Sequence, residues 1–349
     1  MKLTGSLSAN GFNDCRGISE KMTSLGHRIL LFVAILGSVL AARAACAQAP
    51  GTAQAAQTAP LQEPPGIDGT VSLGDFTLHY RAVGKGRPLL ILSGGPGLEV
   101  SYMSPVAQGL GSSYQCILLE QRGTGRSLPA HLTPETINVH LMVEDIEALR
   151  ASLHQKRLLI LGHSWGGMLA MAYAAAHPDR VDSLILVDSG GMDSSFQTAA
   201  RNNITARAST SERQKIKEAA QAIEQSTDPQ AADFAMLELL TPFYFYDREL
   251  AAQMIVGLTK EVTHPQTSHI LWQDVAQNYR VHGEMVKFSR PVLIIHGRQD
   301  PIPESTAIQN KETFQDAQLI FLDECGPLPL VGATQSLLQQ RVDFFTDKT

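Results

Sequence analysis

The chain has 349 residues, of which 44% are hydrophobic, 18% charged and 6% aromatic. That composition excludes a wholly disordered chain, and the length can bury a sizeable core in one large domain or two modest ones. A formal net charge of −6, from 28 basic and 34 acidic residues, argues against a nucleic-acid partner, which selects a basic face.

The first element is the one long apolar run, Ile29 to Leu40 (ILLFVAILGSVL), with His27-Arg28 before it and AARAACAQA after it. A lone run argues against a polytopic membrane protein, and this one falls short of the roughly 20 residues that a membrane span needs. A positive flank, a short apolar centre and small residues at the end predict a secretory signal peptide over residues 1–47. Ala45-Cys46-Ala47 supplies the cleavage site and Ala42-Arg43-Ala44 a second choice; Arg43 occupies a position where a lipoprotein motif takes an aliphatic residue. Residues 1–21 exceed an ordinary n-region, so Met22 is the expected start. The chain is expected to be exported, to the periplasm or the medium, with no membrane span left after cleavage. Its remaining cysteines are Cys116 and Cys325.

Residues 48–66, rich in Ala, Gln and Pro, read as a flexible linker. Thr70-Leu73 and Phe76-Ala82 then predict a hairpin. Pro88-Leu92, Gln115-Leu119, Arg157-Leu161, Ser183-Val187, Pro291-Ile295 and Gln318-Leu322 are further strand-like runs, most of them continuously apolar. Such strands alternating with helices predict an α/β fold with a parallel sheet covered on both faces. Thr133-Pro134-Glu135 opens a predicted helix to Leu153, Gly166-His177 is a second, and Thr334-Phe345 a last. Between Gly190 and Phe288 the strand rhythm stops, and Ser211-Gln225, Pro229-Leu240 and Asp247-Thr259 are helical in pattern. The expected organisation is a core of residues 67–189 and 289–349, interrupted by a helical cap at 190–288.

Gly162-His163-Ser164-Trp165-Gly166 follows the strand RLLIL and precedes a helix. In that context G-x-S-x-G predicts a nucleophile elbow with Ser164 on a strained turn. Ser93-Gly94-Gly95-Pro96-Gly97 follows the strand PLLIL and could offer a backbone N–H to a developing oxyanion, beside that of Trp165. Asp300, after the strand PVLIIHG, is placed to orient a histidine, with Asp188 as the rival acid. No cluster has metal-ligand spacing and no phosphate loop follows a strand, so neither metal nor cofactor is expected.

These pieces resemble the α/β-hydrolase superfamily, with its mostly parallel eight-stranded sheet, and within it the proline iminopeptidases. The resemblance rests on SGGPG at 93–97, EQRGTGRS at 120–127, GHSWGG at 162–167, HPDRV at 177–181 and HGRQDPIP at 296–303. It implies Ser164 as nucleophile, Asp300 as acid, and the amides of Trp165 and Gly95 (or Gly94) as oxyanion hole. The implied substrate is a small molecule or short peptide, cleaved at an ester or N-terminal amide bond beneath the cap. Acidic cap residues would hold a free amine; Glu212, Glu218, Glu224, Glu238, Glu249 and Glu261 are the candidates. The 120–127 string reads as a buttressing loop with Arg122 paired internally. The resemblance also puts the strands of Cys116 and Cys325 about five spacings, or about 24 Å, apart. That is beyond disulfide reach, so both are expected free and structural.

The sequence departs from the family at two places. Ser93 replaces the histidine that usually opens the glycine loop, and Pro327 stands where the catalytic histidine is expected. The last of the 11 histidines is His296. His163 should diverge from its neighbour Ser164, His296 reads as a core residue, and His264 and His269 belong to the cap. Two readings stand: a serine hydrolase with an incomplete triad, or a catalytically silent binder on the same fold. Lipase and haloalkane dehalogenase readings rank lower, the latter because dehalogenases carry a carboxylate where Ser164 sits.

Overall fold

The computed structural model describes residues 65–246, 248, 251, 262–323, 342 and 345. The expected signal peptide, most of the linker, Glu249, Glu261, Cys325, Pro327, and most of the 247–259 and 334–345 helices lie outside them.

Eight described strands form one sheet: β1 (Ile67–Leu73), β2 (Phe76–Gly84), β3 (Arg87–Leu92), β4 (Tyr114–Glu120), β5 (Leu158–His163), β6 (Val181–Val187), β7 (Val292–Gly297) and β8 (Ala317–Leu322). Their spatial order is β1-β2-β4-β3-β5-β6-β7-β8. β1 and β2 pair antiparallel, as do β2 and β4, and every later pair is parallel. The hairpin turns through Gly74 at φ +71°. β5 and β7 are buried along their whole length, as expected of strands covered on both faces, whose side chains cannot alternate with water. β4 and β8 stand five positions apart, so Cys116, buried on β4, is a free thiol well away from the last strand.

The helices of the core are α1 (Ser104–Leu110), α2 (Val139–Ser152), α3 (Trp165–Ala176) and, later in the chain, α9 (Glu304–Thr313). α2 begins later than Thr133-Pro134-Glu135 suggests. Those residues close a turn of their own, in which the amides of Thr136 and Ile137 donate to the Thr133 carbonyl. The cap is Asn138, extended at φ −159°, whose side chain accepts from the Leu141 amide and donates to the Pro134 carbonyl. Asp274, 135 residues on, accepts from the Val139 amide. The start of α2 is therefore fixed partly by a tertiary contact.

Between β6 and β7 lie α4 (Phe196–Arg207), α5 (Thr210–Gln225), α6 (Pro229–Leu240), α7 (Pro265–Asn278) and α8 (His282–Met285). α5 opens with a reciprocal capping box between Ser209 and Glu212, and α6 with Asp228 as cap and Pro229 at its first turn. α4 and α7 were not among the sequence predictions. For α7 the signal was present in Pro265 at the first turn and in Ile270, Leu271 and Val275, whose spacing buries one face.

Candidate active site

Ser164 ends β5 and caps α3 at φ 53°, ψ −115°, a backbone conformation that a side chain rarely adopts. Close packing holds it there. A Cβ at Gly162 would collide with the Gly166 carbonyl, and one at Gly166 with the Leu92 carbonyl, so only glycine lets β3, β5 and α3 meet at this depth. The Ser164 amide donates to the Val187 carbonyl at 2.9 Å, and its own carbonyl accepts from Gly167 at 3.0 Å. Trp165 is the first residue of α3, so its amide has no acceptor within the helix and adds to the positive end of the helix dipole.

The glycine loop lies against this turn: a Cβ on Gly94 would stand 3.2 Å from that of Ser164. The Gly94 amide donates to the Tyr102 hydroxyl, which also shares a 3.0 Å hydrogen bond with His163 Nδ1. The Gly94 amide is therefore already committed.

Gln121 fixes the spacing between loop and turn. Its amide nitrogen donates to both the carbonyl and the hydroxyl of Ser93 at 2.9 Å, and its oxygen accepts from Trp165 Nε1 at 2.9 Å. Ser93, in the place of the family's histidine, donates to the Leu98 carbonyl at 3.1 Å. Next along the chain, Arg122 makes a buried, two-pronged ion pair with Asp145, at 2.8 and 2.5 Å, which is the internal pairing that the buttress reading expects. Gln121 and Tyr102 were not singled out in the sequence; the position of Gln121 within EQRGTGRS was the available signal.

The cap reaches the same loops. Leu98 bridges Thr263, the Glu99 amide donates to the Val262 carbonyl at 3.0 Å, and that of His264 to the Gly97 carbonyl at 2.8 Å. Thr267 donates to the Gly123 carbonyl at 2.8 Å, and Trp272 meets Trp165 edge-on with centroids 6.1 Å apart.

On the other side of Ser164 is the acid turn. Asp188 follows β6 at φ 46°, and its amide donates to the Ile295 carbonyl at 2.9 Å. Its Oδ1 accepts from the Gly297 amide at 2.7 Å. The Gly297 carbonyl accepts from the Asp300 amide at 3.0 Å, and Asp300 Oδ1 from the Ile302 amide at 2.5 Å. Oδ2 of each aspartate is buried with no partner among the described residues. Burial raises the pKa of both carboxyls, and for Asp300 the nearby charge of Asp188 adds to this while Arg207 opposes it.

Elbow, glycine loop and acid turn thus converge at the carboxyl ends of β5, β3 and β7. Residues 87–333 match the family described as alpha/beta hydrolase fold. The chain belongs to that family. A probable proline iminopeptidase of Streptomyces coelicolor is 38% identical over 131 residues, which is 34% of this chain and 38% of that protein. A proline iminopeptidase of Arabidopsis thaliana is 36% identical over 136 residues, 37% of this chain and 33% of that protein. The chain therefore spans little more than a third of the length of the curated relatives it matches. Among solved structures, an alpha/beta fold family hydrolase from Bacillus anthracis superposes with a TM-score of 0.62 at 18% identity, covering 81% of this chain and 99% of the other. That likeness concerns the fold.

Among the described histidines of this α/β-hydrolase, His264 Nε2 accepts from the Gly125 amide at 3.1 Å, His269 Nε2 meets Gln273 at 2.9 Å, and His296 is in the core. Pro327 lies outside the described residues. Of the acids expected to face the site from the cap, Glu212 is spent on the Ser209 amide and Arg248, Glu218 on Gln214, and Glu238 is exposed. The buried cap acid is instead Asp233 on α6, beside a cavity of about 880 Å³ that His264 and His269 also line. Asp233 falls on the buried face of α6, with Met236, Leu237 and Leu240, and that spacing was the available signal.

Proposed function

We propose that the chain is an exported serine hydrolase, similar to proline iminopeptidases, acting on a small ester or an N-terminal amide bond. The observation that carries this reading is the Ser164 turn, whose strained backbone, glycine packing and helix N-terminus have no structural purpose as economical as presenting a nucleophile. Ser164 Oγ would add to the carbonyl carbon while its proton passes to a base. The Trp165 and Gly95 amides would donate to the oxyanion, the leaving group would depart with a proton, and water would hydrolyse the acyl-enzyme. Asp300 would orient and charge-balance that base.

The base is the weak point of the constellation. Proline can neither accept nor donate the proton, and loss of a triad histidine costs about 10⁶ in kcat in a serine protease, with some rate left from the oxyanion hole. The absence of any histidine after His296 favours a second reading, a binding protein that keeps the fold and no longer turns over. A fluorophosphonate probe separates the two, applied to wild type, Ser164→Ala and Pro327→His. Ser164-dependent labelling of wild type supports the hydrolase and removes the silent binder. Labelling that appears only with Pro327→His, by at least about 10²-fold, supports the binder.

A further inference from the structure

Two buried side chains at the acid turn, Asp188 and His296, are not used in the chemistry above. His296, on β7 and 1% exposed, has Nε2 at 3.0 Å from the Ile302 carbonyl oxygen. A carbonyl can only accept, so Nε2 carries a proton, and in the neutral ring Nδ1 is then a bare acceptor. Among the described residues Nδ1 has no hydrogen bond, and Asp188 Oδ1 lies 3.6 Å from it. That oxygen already accepts from the Gly297 amide. Two acceptors facing each other in a water-free interior repel, and the repulsion is relieved if one of the two groups holds a proton.

Burial decides which group holds it. Desolvation lowers the pKa of His296 to about 4, so the ring resists becoming an imidazolium, and it raises that of Asp188. The other groups around the pair act against this, Glu304 favouring the imidazolium and the Gly297 amide the Asp188 carboxylate, but desolvation is the largest effect on each. Phe321 of β8 offers His296 only a ring edge, Glu304 of α9 is the charge that acts on it, and Arg207 acts on Asp300 and not on Asp188.

We propose that Asp188 is a neutral carboxylic acid whose proton is directed at His296 Nδ1. Asp188 and His296 are then positioning residues. They hold the Gly297 amide, and through its carbonyl the Asp300 amide. The value of this assignment to catalysis rests on the hydrolase reading; the proton's location does not.

Two measurements on the full chain test it. Long-range ¹H–¹⁵N spectra, with His296 assigned by its loss in His296→Gln, should show a neutral ring protonated at Nε2 from pH 6 to 8. An imidazolium, or a ring protonated at Nδ1 alone, would overturn the proposal. The second measurement is thermal unfolding of wild type and Asp188→Asn from pH 6 to 9. An acid that is protonated when folded and ionised when unfolded gives the native state the extra proton, so wild-type stability falls as pH rises. Asparagine keeps the acceptor for Gly297 and cannot ionise, so the variant should lose less stability across that range. Equal losses would refute the assignment. Should Ser164 prove unreactive while both results hold, the hydrolase reading fails and the proton assignment stands.

Discussion

Replacing Gln121 by methionine keeps the length and volume of the side chain and removes its three hydrogen bonds. The side chain is 3% exposed, so water cannot take its place without opening the core. Ser93 Oγ retains the Leu98 carbonyl as acceptor, which leaves two stranded groups, Trp165 Nε1 and the Ser93 carbonyl. At about 1–3 kcal/mol for each unsatisfied buried group, the expected loss is about 2–6 kcal/mol. For a domain of this size that corresponds to a fall in Tm of about 5–15 °C, read by circular dichroism. A double-mutant cycle isolates the mechanism. Trp165→Phe removes the donor, and in the double variant the stranded indole N–H no longer exists, so the combined loss should fall short of the sum by about 1 kcal/mol or more. An additive cycle, or a Tm shift below about 2 °C for Gln121→Met, would refute the view that this residue clamps the glycine loop to the elbow.

Three other outcomes are expected. Arg122→Met leaves the buried Asp145 carboxylate without its partner and should cost about 3–5 kcal/mol in urea unfolding, while Arg122→Met combined with Asp145→Leu should recover much of that loss. The Arg150 guanidinium holds the Glu147 carboxyl down at about 2. A folded pKa below the unfolded one gives stability that is present above the ordinary carboxylate range and is lost as pH falls toward 2, so Glu147→Gln should show a shallower acid loss than wild type. Burial pushes the Cys116 thiol up to about 12, so mass spectrometry after iodoacetamide treatment at pH 8 should find Cys116 modified only when the chain is unfolded.

Much of this architecture is written in local pattern. β3, β5, β6 and β7 are legible because strands buried on both faces need unbroken apolar runs, and the elbow because its steric demand for glycine leaves G-x-S-x-G in the chain. Asp300 is legible because it follows a strand end. The absence of histidine after His296 is likewise a property of the sequence alone.

Other features depend on residues that meet only in three dimensions. Asn138 rather than Thr133 starts α2 because Pro134 and Asp274 complete its cap. Gln121 becomes the clamp because Ser93 and Trp165 arrive within its reach from the ends of β3 and β5, and the Gly94 amide is taken up by Tyr102, eight residues on. The Asp188–His296–Asp300 group joins the ends of β6 and β7, and its protonation follows from burial, which no short window of sequence records. Sequence determines which segments must be buried and which turns must be glycine; desolvation and hydrogen-bond completion between distant segments decide what the polar side chains among them can do.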